Sequence, residues 1–116
     1  MKKSTITIDV QMDENRFPET IEWNATDSTI QNVQKAKAMI LAFWNGEERE
    51  ALRIDLWTQT MMLDEMADFF YQTMMTMADT YGRATRYTDQ VEDMKNFAKD
   101  FYKKFQAKQL EQNKAG

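Results

Sequence analysis

The chain has 116 residues, 42% hydrophobic and 29% charged, with a formal net charge of −4. That length and balance predict a single α+β domain over residues 1–116 with its own core, and exclude a disordered chain. With no cysteine and no histidine, disulfides, thiolate or zinc sites, and Ser-His-Asp or Cys-His nucleophilic catalysis are excluded.

The opening MKKSTITIDV carries two lysines but no apolar stretch behind them, so a secretory signal is not expected. The longest apolar run, Ala38 to Trp44, is far too short to span a bilayer. A cytoplasmic location is the expectation. The acidic balance gives no general pull toward nucleic acid. Charge is unevenly placed: residues 1–79 hold 7 basic and 14 acidic groups, residues 80–116 hold 8 and 5.

Ser4 to Met12 alternates, with Ile6, Ile8, Val10 and Met12 on one side and Thr5, Thr7, Asp9 and Gln11 on the other. That period of two predicts a half-buried strand. After the polar turn Asp13-Glu14-Asn15-Arg16 and Pro18, Ile21, Trp23 and Ala25 repeat the alternation and complete a hairpin. Ser28 with Gln31 fits a capping box, and Ile30, Val33, Ala36, Met39, Ile40, Phe43 and Trp44 fit the buried stripe of a helix over 29–45. Gly46 is expected as its left-handed C-terminal residue. Leu52, Ile54 and Leu56 alternate with Arg53 and Asp55, predicting a third strand that ends at Trp57.

A long central helix follows and ends between Gly82 and Arg86. At about 100° per residue, Met62, Leu63, Met66, Phe69, Phe70, Met74, Met77 and Tyr81 fill one broad face. Ala67, Tyr71, Met75 and Ala78 widen the apolar arc, and Glu65, Asp68, Gln72, Thr76 and Asp79 crowd into the strip left over. Such an arc exceeds what one neighbour covers, so a sheet on one side and a helix on the other are expected. Asp89 with Glu92 suggests a capping box for the last helix, whose stripe runs through Val91, Met94, Phe97, Ala98, Phe101, Tyr102 and Phe105. A short connection makes the two an antiparallel hairpin, with residues 111–116 frayed. The predicted order is ββαβαα: a small three-stranded sheet packed by helices, with a C-terminal helical hairpin.

Little catalytic chemistry is offered. Neither G-x-x-x-x-G-K-[ST] nor G-x-G-x-x-G occurs, so no phosphate-cradling loop is expected. Glu65, Asp68 and Asp79 could hold a hard cation, but a solvated acidic strip is the plainer reading. Lys95, Lys99 and Lys103 recur every fourth residue and read as a charged solvent face of the last helix or as a contact for an acidic surface. Six of the ten methionines lie between Met61 and Met77; thioethers fill irregular cores and also line adaptable binding surfaces. Tyr71 and Met75 sit at the edge of the apolar arc, where an uncovered pair would make a docking or dimer patch.

The segments Ala36-Lys37-Ala38-Met39, Leu52-Arg53-Ile54-Asp55-Leu56-Trp57-Thr58, Asp64-Glu65-Met66 with Phe69-Phe70, and Met77-Ala78-Asp79-Thr80 with Arg83-Ala84-Thr85 resemble GldC-type gliding motility proteins. Ile21-Glu22-Trp23 also fits that pattern. Two departures stand out: the Lys-rich end after Phe105 runs beyond it, and Gly82 replaces an ordinary helix former. The resemblance implies a role in surface gliding in Bacteroidota, alongside envelope lipoproteins and a motor, with no catalytic residue or cofactor. The expectation is therefore a non-catalytic accessory protein that binds another protein of the gliding machinery, with no nucleic acid, no membrane span and a homodimer allowed. Candidate contact groups are Arg53, Asp55, Trp57, Tyr71 and Met75. The alternative is a small-ligand or lipid-binding module whose helices enclose a cavity lined by methionine and aromatic groups.

Overall fold

A computed structural model of the chain describes residues 2–26 and 32–115. Five strands precede two helices: β1 (Ile6–Met12), β2 (Pro18–Ala25), β3 (Gln34–Ala36), β4 (Ala38–Asn45), β5 (Glu50–Trp57), α1 (Leu63–Thr85) and α2 (Thr88–Ala115). The fold is α+β and ends in the expected helical pair. The chain divides into two compact units, with the boundary between Met61 and Met62.

In the first unit, β1, β2 and β3 form an antiparallel sheet in that order. Val10 lies opposite Ile21, Ile8 opposite Trp23, and Ile21 opposite Ala36. The alternation of β1 is therefore matched across the hairpin, and Ile21 at the centre is 1% exposed. The β1–β2 turn is closed by Asp13, whose Oδ1 accepts the backbone N–H groups of Asn15 and Phe17 at 2.8 and 2.9 Å. Arg16 supplies the left-handed residue there, at φ 64°. Pro18 takes the first position of β2, where its missing N–H interrupts no ladder.

Of the helix expected over 29–45, the described part, residues 32–45, is not helical. Its capping box at Ser28 and Gln31 lies outside the described residues, and the rest is β3 and β4. The run from Ala38 to Trp44 is apolar at almost every position, which fits a helix and a strand equally by period. Length and composition decide it: eight residues carrying Ile, Phe and Trp suit a pleated ribbon better than a helix. Gly46 is correspondingly no helix cap. It lies in the β4–β5 turn without a positive φ, and Arg49 is the left-handed residue, at φ 55°. The Asn45 side chain organises that turn by accepting the N–H groups of Glu47 and Glu48 at 3.1 and 3.2 Å.

The expected third strand exists as β5, but it pairs with β4 in a separate two-stranded sheet. The three-stranded sheet is completed by β3 instead.

In the second unit, α1 opens with the Glu65 carboxylate accepting the Met62 N–H at 3.1 Å. It closes at Arg86, left-handed at φ 67°, whose N–H donates to the Gly82 carbonyl. Gly82 thus lies inside the last turn. A Cβ there would come within 2.9 Å of Val91 Cγ2, so the position that departs from the resemblance faces α2 at close range. Ala67, Ala78 and Ala98 are the buried helical residues, the last two at 0% exposure. Small side chains let the two backbones approach, and Tyr71 stacks on Tyr102 with centroids 5.1 Å apart. Helix α2 continues as far as Ala115. Lys95 belongs to the seam, bonding Asp79 at 2.7 Å, and is not on a free outer face; Phe97, expected in the buried stripe, is exposed.

Candidate protein-docking surface

Strands β4 and β5 pair without a register shift from Ala38 opposite Trp57 to Asn45 opposite Glu50. Alternation along each strand then sorts the ribbon into two faces. One gathers Met39, Leu41 and Phe43 beside Leu56, Ile54 and Leu52, six apolar side chains, with Asn45 and Glu50 following at the turn end. Toward the turn this face is open: Phe43 is 60% exposed, Ile54 54% and Leu52 51%. Burying such side chains is worth roughly 1.5–3 kcal/mol each, so a face left in water is a strong drive toward a partner. A two-stranded ribbon is at best marginal unless something packs on it.

The opposite face carries Ala38, Ile40, Ala42 and Trp44 beside Trp57, Asp55, Arg53 and Ala51. Arg53 Nε and Asp55 Oδ2 pair at 3.1 Å with both side chains well exposed. Trp57 and Trp44 stand exposed at opposite ends. Three of the five candidate contact residues, Arg53, Asp55 and Trp57, are therefore brought together. The other two are not with them. Tyr71 is held in the α1–α2 seam against Tyr102, and Met75, one turn on, is half-buried. The residues that sequence reasoning missed are Met39, Leu41 and Phe43. Their alternation was hidden when the segment was read at helical period; the Asn45-Gly46 pair, a hairpin signal between two apolar runs, could have revealed it.

The acidic strip of α1 is engaged by the protein itself. Glu65 caps the helix, Asp79 pairs with Lys95, and Asp68 accepts a hydrogen bond from the Tyr102 hydroxyl. That bond, then burial and the charges of Asp68 and Asp64, raise the Tyr102 pKa above its ordinary value of 10.0. Among the described residues no group of three or more carboxylates is placed to hold a metal ion. An open hollow of about 190 Å³ lies along the sheet residues Ile8, Ile21, Trp23, Ala36 and Met39. It is smaller than the roughly 300–1,000 Å³ of ordinary ligand pockets, and a second open hollow of about 340 Å³, along Thr20, Ile21, Lys35, Lys37 and Thr58, has no methionine or aromatic side chain in its lining.

The profile of the family described as Gliding motility-associated protein GldC-like matches residues 18–107. The chain belongs to the GldC-like family. The matched region runs from the start of β2 to two residues past Phe105, so it contains the whole β4–β5 ribbon and the helical seam. It ends where the Lys-rich end begins. Membership ties this GldC-like chain to gliding motility. No curated protein and no solved structure matches it. Among the described residues no helix is long and apolar enough to cross a membrane.

Proposed function

We propose that this GldC-like chain is a non-catalytic accessory protein of gliding motility, working by binding another protein of the gliding or envelope machinery through the β4–β5 ribbon. The supporting observation is the six-residue apolar cluster on one face, with Phe43, Leu52 and Ile54 exposed toward the turn. Contiguous apolar surface of this kind is typical of protein contacts. Trp57 and Arg53 on the reverse face add residue types that dominate binding energy at interfaces, and Asp55 holds the Arg53 fork in place. Tyr71 and Met75 are the weaker contact candidates, because the seam already uses Tyr71.

Affinity purification of the tagged protein from a gliding cell tests this reading. Phe43→Asp with Leu52→Asp should abolish partner recovery while circular dichroism stays unchanged. Tyr71→Ala with Met75→Asp should spare recovery wherever the helical pair still folds. Undiminished recovery by the Phe43/Leu52 variant would remove the ribbon as the docking surface.

A further inference from the structure

We propose that the outer edge of β5 pairs antiparallel with β5 of a second copy, about a two-fold axis through Ile54. Among the described residues β5 has only β4 beside it. Its eight residues contain no proline, and its register with β4 has no bulge. Proteins usually blunt so long and regular an edge, because its free N–H and C=O groups accept any matching strand.

The side-chain order of β5 identifies that strand. In Ala51-Leu52-Arg53-Ile54-Asp55-Leu56-Trp57, apolar residues are symmetric about Ile54 and the flanking charges are opposite. Antiparallel pairing with Ile54 opposite Ile54 sets each Leu52 against the other copy's Leu56. It also sets each Arg53 against the other copy's Asp55. Residues directly opposite share a face, so apolar meets apolar on one side and cation meets anion on the other. Centring on Arg53 would instead oppose two guanidinium groups, and centring on Asp55 two carboxylates. A slip of one residue would set charged positions against the apolar face. Self-complementarity about an axis is the property of an interface between identical chains; an unrelated strand would match it only by coincidence.

Pairing gives a four-stranded sheet, β4-β5-β5-β4, that doubles the apolar cluster of each ribbon. The pairing uses the backbone edge of β5 and the proposed partner contact uses the apolar face; Leu52, Arg53 and Asp55 take part in both, whereas Phe43 lies on β4 and belongs to the face alone.

Sedimentation equilibrium of the full chain, with circular dichroism as the folding control, tests it. The unaltered protein should be a dimer. Arg53→Asp or Asp55→Arg alone places four like charges around the axis and should lower the mass about twofold, with the fold kept. The double exchange Arg53→Asp/Asp55→Arg restores opposite charges and should restore the dimer. Ile54→Cys, in a chain without other cysteines, should form an intermolecular disulfide on mild oxidation, because opposed strand positions lie within disulfide reach; Glu48→Cys in the turn should not. A monomeric unaltered protein, dimers that survive both single substitutions, or a double exchange that stays monomeric would overturn the pairing. Loss of partner recovery in Phe43→Asp, on β4 and outside the β5–β5 register, with the dimer intact leaves the pairing standing and bears on the docking face alone.

Discussion

The helical pair and the β4–β5 ribbon treat apolar residues in opposite ways. Along α1 and α2 the most deeply buried groups are small, Ala78 and Ala98 at 0% exposure, and a Cβ at Gly82 would collide with Val91. Along the ribbon the side chains are large, and half of one face is open to water. A closed seam of small residues is specified by shape, so its energy lies in how near two backbones come. An open face of large residues holds its energy in reserve until something covers it. The same chain thus contains one region that is complete as it stands and one that is not.

Substitutions can break this contrast at graded cost. The largest loss should come at Ile21, the fully buried side chain of the three-stranded sheet. Ile21→Ala is expected to destabilise by about 2–5 kcal/mol, through lost burial plus a cavity; urea unfolding followed by tryptophan fluorescence measures it. Next is Ala98→Leu, which forces three extra carbons into a site at 0% exposure. About 1–3 kcal/mol should be lost by overpacking, read as earlier thermal loss of the helical circular dichroism signal.

Gly82→Ala sharpens the comparison because its sign depends on its neighbour. The new methyl would meet Val91 Cγ2 at 2.9 Å. In the native background that collision should outweigh the roughly 1 kcal/mol that alanine gains over glycine as a helix former. With Val91→Ala already present, the same change should become stabilising. Urea titrations of the four proteins in that cycle provide the check.

On the ribbon, Phe43→Ser and Leu52→Ser should each shift unfolding of the monomer by only about 0.5 kcal/mol or less, as exposed positions do. A loss as large as that at Ala98 would show the face to be internally covered.

The smallest effect concerns pH. Tyr102 has its pKa raised, chiefly by the hydrogen bond to Asp68. A raised folded-state value means that the stabilisation is fully present below the ordinary tyrosine pKa of 10.0 and is lost as pH rises through the raised value. The native protein should therefore exceed Tyr102→Phe in thermal stability at neutral pH, with the gap closing in strongly alkaline buffer.

Much of this was legible without coordinates. The β1–β2 hairpin was readable because Ile8, Val10, Ile21 and Trp23 alternate with polar residues, and β5 because Arg53 and Asp55 break its apolar run at every second position. Both helices were readable because a period of 3.6 persists over more than twenty residues, beyond what any strand sustains. The segment before Asn45 was not, because a run apolar on all sides has no period to read. Partner choice among strands was equally hidden, since alternation states which face is greasy but not which strand lies alongside.

By itself the sequence determined the α+β class, the helical hairpin and the kinship with gliding motility proteins. Those follow from periodicity and local motif, which are written within a few turns of chain. Only the tertiary structure decided that β4 is a strand, that Gly82 lies against Val91, that Tyr71 meets Tyr102, and that Phe43, Leu52 and Ile54 share an exposed face. Each of those depends on which residues distant in sequence come within a few ångströms, and close approach is a property of the folded chain.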